Sequence, residues 1–140
     1  MTTTIDPSFD LVCVPGAIAR GERVAHFVLG YRLFAKLAKE RIDLPSGIAL
    51  RLDADYISEV ARFVANERKC CPFLHIEVEI APGGGPMWLR LTGPPGTREL
   101  IEAELGLARW FLRMKLVLWS ITALALAGLG IACAESYLIG

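Results

Sequence analysis

Residues 67–73, which read Glu-Arg-Lys-Cys-Cys-Pro-Phe, constrain the fold of this chain more than any other stretch. Pro72 disfavours helical geometry at Cys71, so a helix that approaches from the N-terminal side should end at about Cys70. Upstream, apolar residues recur at helical spacing at Ile57, Val60, Ala61 and Val64. Downstream, residues 73–80 alternate between apolar and polar side chains. The sequence therefore predicts a helix that delivers two adjacent cysteines to the start of a strand.

The rest of the N-terminal hundred residues carries four further patterns. Residues 17–41 predict a first amphipathic helix, whose apolar residues at helical spacing are Val24, Phe27, Val28, Tyr31, Phe34 and Ala38. Residues 47–52 alternate as a half-buried strand. Residues 73–80 and 87–92 flank a glycine-rich turn and predict a β-hairpin. A short helix follows from Thr97 to about residue 105.

The order of these elements is helix, strand, helix, strand, strand, helix, which predicts an α+β fold. A strand–helix–strand step implies a right-handed crossover and parallel pairing of its strands, and the hairpin adds an antiparallel neighbour. We therefore expect a two-layer, ferredoxin-like or split βαβ sheet with helices on one face, followed by a C-terminal hydrophobic helix. The expected organisation is an extended segment at 1–16, an α+β domain at 17–106 and a membrane-anchor helix at 107–140.

The C-terminal segment 116–134 contains no charged residue. A helix of this length spans about 28 Å, close to the hydrocarbon thickness of a bilayer. Arg109, Arg113 and Lys115 precede it, and by the positive-inside rule this flank is cytoplasmic. We predict a single-pass anchor in the cell inner membrane with a cytoplasmic N-terminal domain. The alternative is a buried core or dimerisation helix, and pairs of small residues in the segment would permit a homo-oligomer.

Charge and cysteine content exclude several classes of function. The formal net charge is +0, so we expect no nucleic-acid partner. The four cysteines, Cys13, Cys70, Cys71 and Cys133, lack the density of a disulfide scaffold. Residues 1–9 lack the features of a signal peptide, so we expect free thiols in a reducing cytosol.

Two adjacent thiols at a helix-to-strand corner leave three interpretations open. Continuing the helical wheel, Cys71 is a small core residue and Cys70 is partly exposed, which is a packing role. Because the backbone changes direction there, both sulfurs could instead face one soft metal ion. The third interpretation is thiol redox chemistry, although no CxxC pair accompanies the two cysteines.

Glu67, Cys70, Cys71, Pro72 and Phe73 together form a Glu-x-x-Cys-Cys-Pro-Phe motif. In this the chain resembles a group of small bacterial proteins, most of them uncharacterised, that carry the motif at a helix-to-strand junction. The similarity runs from Cys13, through the helix that contains His26, to the turn at Gly93. Some members are associated with mercury or arsenic resistance, so the resemblance implies a soft-ion role with Cys13 as a third sulfur. The hydrophobic tail departs from that pattern.

We predict a membrane-tethered cytosolic domain that binds a soft metal ion, such as mercury, Cu(I) or zinc, through Cys70, Cys71 and Cys13. No catalytic constellation is present in the sequence, which favours a role other than an enzyme. The alternatives are a structural or interaction module with packing cysteines, and a thiol redox protein.

Other polar residues have simpler interpretations. His26 is expected at the surface or at the boundary of the first helix. His75, Glu77 and Glu79 lie on one face of a predicted strand and are expected to be solvated.

Overall fold

The computed structural model describes residues 10–105, together with residues 114 and 120. A 3-10 turn at Pro15–Ala17 precedes helix α1 (Arg23–Arg32), which continues into a π-helical turn at Leu33–Leu37. Strands β1 (Glu40–Leu44) and β2 (Gly47–Leu52) follow, then a 3-10 turn at Ala54–Tyr56, helix α2 (Ile57–Cys70), and strands β3 (His75–Ile80) and β4 (Met87–Thr92). A third helix, α3, begins at residue 97 and continues through residue 105. The fold is α+β, as expected. The chain divides into two units, Met1–Gly106 and Leu107–Gly140.

The four strands form one sheet in the order β1-β2-β4-β3, and every neighbouring pair is antiparallel. The expected parallel pairing of β2 with β3 is wrong, because β4 lies between them. Every second residue of β4 is buried, whereas most of β3 is exposed. The more apolar strand of the hairpin therefore takes the central position, and β3 becomes an edge.

Strand β1 is not among the predicted elements, because it begins within the helix predicted at 17–41. Instead β1 forms a tight hairpin with β2, in which Glu40 is paired with Arg51 and Leu44 with Gly47. The Arg51 side chain donates a hydrogen bond to Glu40 at 2.9 Å. Charged side chains are compatible with an edge strand, so the charged residues of β1 do not conflict with its position at the edge of the sheet.

One glycine permits the close approach of β2 to β4. A Cβ atom at Gly47 would overlap the carbonyl oxygen of Leu91 in β4. Glycine is therefore required where β2 begins.

One face of the sheet packs against the helices. The buried core joins side chains of β2 and β4 to side chains of all three helices and the π-helical turn: Ile48, Leu50, Leu52, Met87, Leu89, Leu91, Leu29, Leu33, Val60, Phe63 and Ile101. On the opposite face, His75, Glu77 and Glu79 are exposed, as expected. Arg90 donates to Glu79 at 2.7 Å across the β3–β4 pair on that face.

The predicted buried face of the first helix is wrong. Val24 is 63% exposed, and Phe27 and Val28 are each 38% exposed. The buried positions of α1 are His26, Leu29 and Gly30, and the stripe continues at Leu33. Gly30 allows a close helix contact, because a Cβ there would lie 3.3 Å from the ring of Phe63 in α2. A polar residue and a glycine thus occupy core positions that an apolar pattern does not reveal.

Within residues 10–105, and at residues 114 and 120, no helix is both long and apolar enough to cross a membrane. The predicted anchor at 116–134 lies outside the described residues, apart from Ser120.

Candidate metal centre

The buried stripe of α2 brings acidic and sulfur-bearing side chains to one end of the helix. Its inward positions are Val60, Phe63, Asn66, Glu67 and Cys70. The helix ends at Cys70, as Pro72 predicted, and Cys71 is its C-terminal cap. Cys70 and Cys71 are each only 1% exposed, so the expectation that Cys70 is partly exposed is wrong. Phe63, rather than Ala61, sets the phase of the buried stripe, and Cys70 follows it two turns later.

The segment that precedes α1 carries Cys13 to the same place. The backbone N–H of Val14 donates to the carbonyl oxygen of Cys70 at 2.7 Å. Ile18 is 1% exposed and belongs to a small core cluster with Cys70, Cys71 and Phe73. Cys13 packs against this cluster, as do Leu11, Leu74 and Leu100. Residues 10–18 therefore form a strap over the C-terminal end of α2.

The sulfur atoms of Cys13, Cys70 and Cys71 all lie within 4.8 Å of one another. Cys13 and Cys71, which are 58 residues apart, are joined by a disulfide, and Cys70 is a free thiol. The expectation of free thiols is therefore wrong for Cys13 and Cys71. The fold does bring together the three predicted ligands, but in this state it leaves only one of them as a thiol.

A buried histidine lies next to this cluster. The Nε2 atom of His26 is 2.8 Å from Oε2 of Glu67, and His26 is 4% exposed, so its predicted position at the surface or boundary is wrong. The ring stacks on Phe63 with centroids 5.2 Å apart and an interplanar angle of 11°. Its Nδ1 atom has no hydrogen-bond partner among the described residues. The i, i+3, i+4, i+7 spacing of His26 with Leu29, Gly30 and Leu33 was the signal that could have placed it inward.

Glu104 of α3 is a second acidic residue at the site, and no sequence pattern had indicated it. The carboxylate oxygens of Glu67 and Glu104 and the sulfur of Cys71 lie within 4.8 Å of one another. Burial and repulsion from Glu67 raise the pKa of Glu104 to about 7, against a smaller opposing effect of His26. Two carboxyl groups therefore share a poorly solvated space beside the disulfide.

The same environment keeps Cys70 protonated. Burial, followed by the charges of Glu67 and Glu104, raises the pKa of the Cys70 thiol to about 11, and a hydrogen bond from the Val14 backbone only partly opposes this. At neutral pH Cys70 is therefore a thiol and a weak nucleophile. A metal ion that binds there must displace its proton.

Comparison of the chain with models of protein families, with curated proteins and with solved structures found no match. The resemblance to the proteins that carry the Glu-x-x-Cys-Cys-Pro-Phe motif, and its association with metal resistance, remain a prediction. The chemistry of this site consequently has to be inferred from its own donor atoms.

Proposed function

We propose that the domain binds one soft metal ion, such as Hg(II), through Cys13, Cys70 and Cys71 when all three are reduced. The observation that carries this proposal is the convergence of the three sulfurs within 4.8 Å. Three sulfurs arranged around one zinc-like ion, each at about 2.3 Å, are about 4 Å apart. Small side-chain movements would therefore suffice to place three thiolates around one ion.

The electrostatics of the site favour a cation over an anion. Glu67 and Glu104 lie beside Cys71, and burial, followed by the charges of these two residues, raises the pKa of the Cys70 thiol to about 11. A divalent ion carries twice the charge of a proton and responds more strongly to the same field. Because thiols must lose protons to bind, ions with high sulfur affinity are favoured over ions that prefer oxygen. This supports a thiophilic ion in preference to magnesium or calcium.

Metal titration of the full chain tests the proposal. The Cys133→Ala variant, reduced and freed of reductant, should bind one Hg(II), whereas Cys70→Ser/Cys71→Ser in the same background should bind it roughly a hundredfold or more weakly. Cys133→Ala alone is the reference protein, because it differs from the triple variant only at Cys70 and Cys71. Equal and weak binding by the two proteins would remove the proposal.

A structural module is the second candidate function, and the burial of Cys70 and Cys71 in a core cluster favours it. If the cysteines only pack, Cys71→Ala should destabilise the fold without any change in metal affinity. The thiol redox alternative has less support when Cys70 is its nucleophile, because the pKa of that thiol is raised to about 11.

The location and assembly of the protein are further parts of the proposal. An uncharged segment at 116–134 and the basic flank before it support a single-pass inner-membrane anchor with the domain in the cytoplasm. The small residues of that segment support a homo-oligomer. The β2–α2–β3 step, with β4 between its strands, supports a ferredoxin-like arrangement of the split βαβ type.

A further inference from the structure

We propose that the Cys13–Cys71 disulfide, which links the strap (residues 10–18) to the C-terminal end of α2, is reduced by thiol exchange. A low-molecular-weight thiol attacks the sulfur of Cys13 and thereby makes the metal centre able to bind its ion. The inference rests on the proposed function and adds its regulation and a modification site.

The disulfide removes the metal-binding capacity of the centre. It occupies two of the three sulfurs and leaves Cys70, which is 1% exposed, as the only free thiol of the three. The strap covers Cys70 through the hydrogen bond of Val14 and the burial of Ile18. The oxidised site thus lacks a set of ligands, and its one free thiol is buried under the strap.

The two cysteines of the disulfide differ in exposure. Cys13 is partly exposed and lies between Val12 and Val14, which are 55% and 50% exposed, whereas Cys71 is 1% exposed. An external thiolate must approach the sulfur that it attacks, so Cys13 is the accessible target.

Complete reduction of the disulfide consumes two molecules of the small thiol. The thiolate of the first bonds to the Cys13 sulfur, the Cys13–Cys71 bond breaks, and Cys71 leaves as a thiolate that takes a proton from water. The thiolate of the second attacks the small-molecule sulfur of the mixed disulfide and releases Cys13, which is also protonated. Two electrons pass from the two small thiols, which leave as their disulfide, to the protein cysteines. Three thiols then surround the space that the ion enters.

Adduct mapping on the full chain tests the site of attack. The disulfide form of Cys70→Ala/Cys133→Ala is exposed to glutathione, sampled over time by quenching with acid, digested and analysed by mass spectrometry. At early times we expect a mixed disulfide on Cys13 with a free thiol at Cys71, followed by full reduction of both. An early adduct on Cys71, or a Cys13–Cys71 disulfide that persists throughout the exposure, would overturn the inference. Rapid quenching of the Cys133→Ala protein repeats the test with Cys70 in place, in case the double variant does not fold.

Binding measurements distinguish regulation by the disulfide from metal binding itself. We expect the disulfide form of Cys133→Ala to bind Hg(II) at least about tenfold more weakly than its reduced form. Cys13→Ser/Cys133→Ala, which cannot form this disulfide, should lose that difference. If the reduced protein does not bind Hg(II), the proposed function fails while the adduct result stands by itself. If reduced and disulfide forms bind equally well, the metal site stands and its regulation by the disulfide is wrong.

Discussion

At the scale of single residues, the polar contacts that define the site are buried. His26 and Glu67 meet at 2.8 Å in the contact between α1 and α2, and Glu104 adds a second carboxyl group. Buried ionisable groups are costly unless they are paired, so we expect the second carboxyl group to reduce the stability of the fold. The metal binding proposed above would account for this cost, because Glu67 and Glu104 lie within 4.8 Å of the sulfur of Cys71.

Glu104 gives the domain a pH dependence whose sign can be derived. Its pKa is raised from an ordinary 4.5 to about 7 in the folded chain, so between these values the folded state holds a proton that the unfolded state releases. Stability should therefore fall as pH rises through this window. Glu104→Gln should remove that part of the decline and be more stable than the parent at pH 8, by an amount on the order of 1 kcal/mol after solvent screening.

Urea denaturation of the two proteins between about pH 5 and pH 8 measures this difference. Glu102→Gln on the same helix is the matched control, because Glu102 is exposed and bonds only with Arg41 among the described residues. Parallel stability curves for the parent and Glu104→Gln would contradict the assignment.

At the scale of elements, the sequence predicts correctly the strands and helix ends at which the apolar residues are also the buried residues. In β4 the alternating apolar residues are the buried ones, and Pro72 sets the end of α2. In β2 the predicted apolar residues are buried too, although Ala49 on the opposite face is also only 2% exposed. The faces of α1 and the C-terminal half of α2 could not be predicted in the same way. Their buried stripes contain His26, Gly30, Glu67 and Cys70, whose burial depends on partners from elsewhere in the chain. The buried positions that the sequence pattern does not predict thus include residues of the candidate site.

The junction of β2 with β4 provides a test of the sheet order. Gly47→Ala should destabilise the domain by about 1–3 kcal/mol or more, because the added methyl group overlaps the backbone of Leu91 and the sheet must shift. Gly21→Ala is the control, since a Cβ there meets nothing within 4 Å. Denaturant midpoints of the two variants provide the comparison. If both variants unfold at the midpoint of the parent, β2 does not lie against β4 as described.

At the scale of the whole molecule, the site depends on residues that are distant in sequence. Cys13 and Cys71 are 58 residues apart, and His26 and Glu67 are 41 residues apart. Periodicity is a local signal and carries no information on such pairs. Only the motif resemblance suggested Cys13, and nothing in the sequence indicated that it would form a disulfide with Cys71.

The C-terminal segment has its own prediction. If residues 107–140 anchor the protein, the full chain should remain in the membrane fraction after an alkaline carbonate wash, because an uncharged segment at 116–134 resists extraction. Leu124→Arg/Leu126→Arg should release the protein, since each arginine at the centre of a span costs about 2.5–3.5 kcal/mol on insertion scales. Leu124→Ile/Leu126→Ile is the matched control. Release of the parent chain by the wash would contradict the anchor.

The central claim, that three sulfurs of this domain hold one soft ion, is tested most directly by X-ray absorption at the mercury edge. The reduced Cys133→Ala protein would be loaded with one equivalent of Hg(II) and its sulfur neighbours counted. The account predicts three sulfur neighbours, supplied by Cys13, Cys70 and Cys71, and one fewer in Cys13→Ser. A shell of oxygen or nitrogen neighbours, or a sulfur count that Cys13→Ser leaves unchanged, would contradict it.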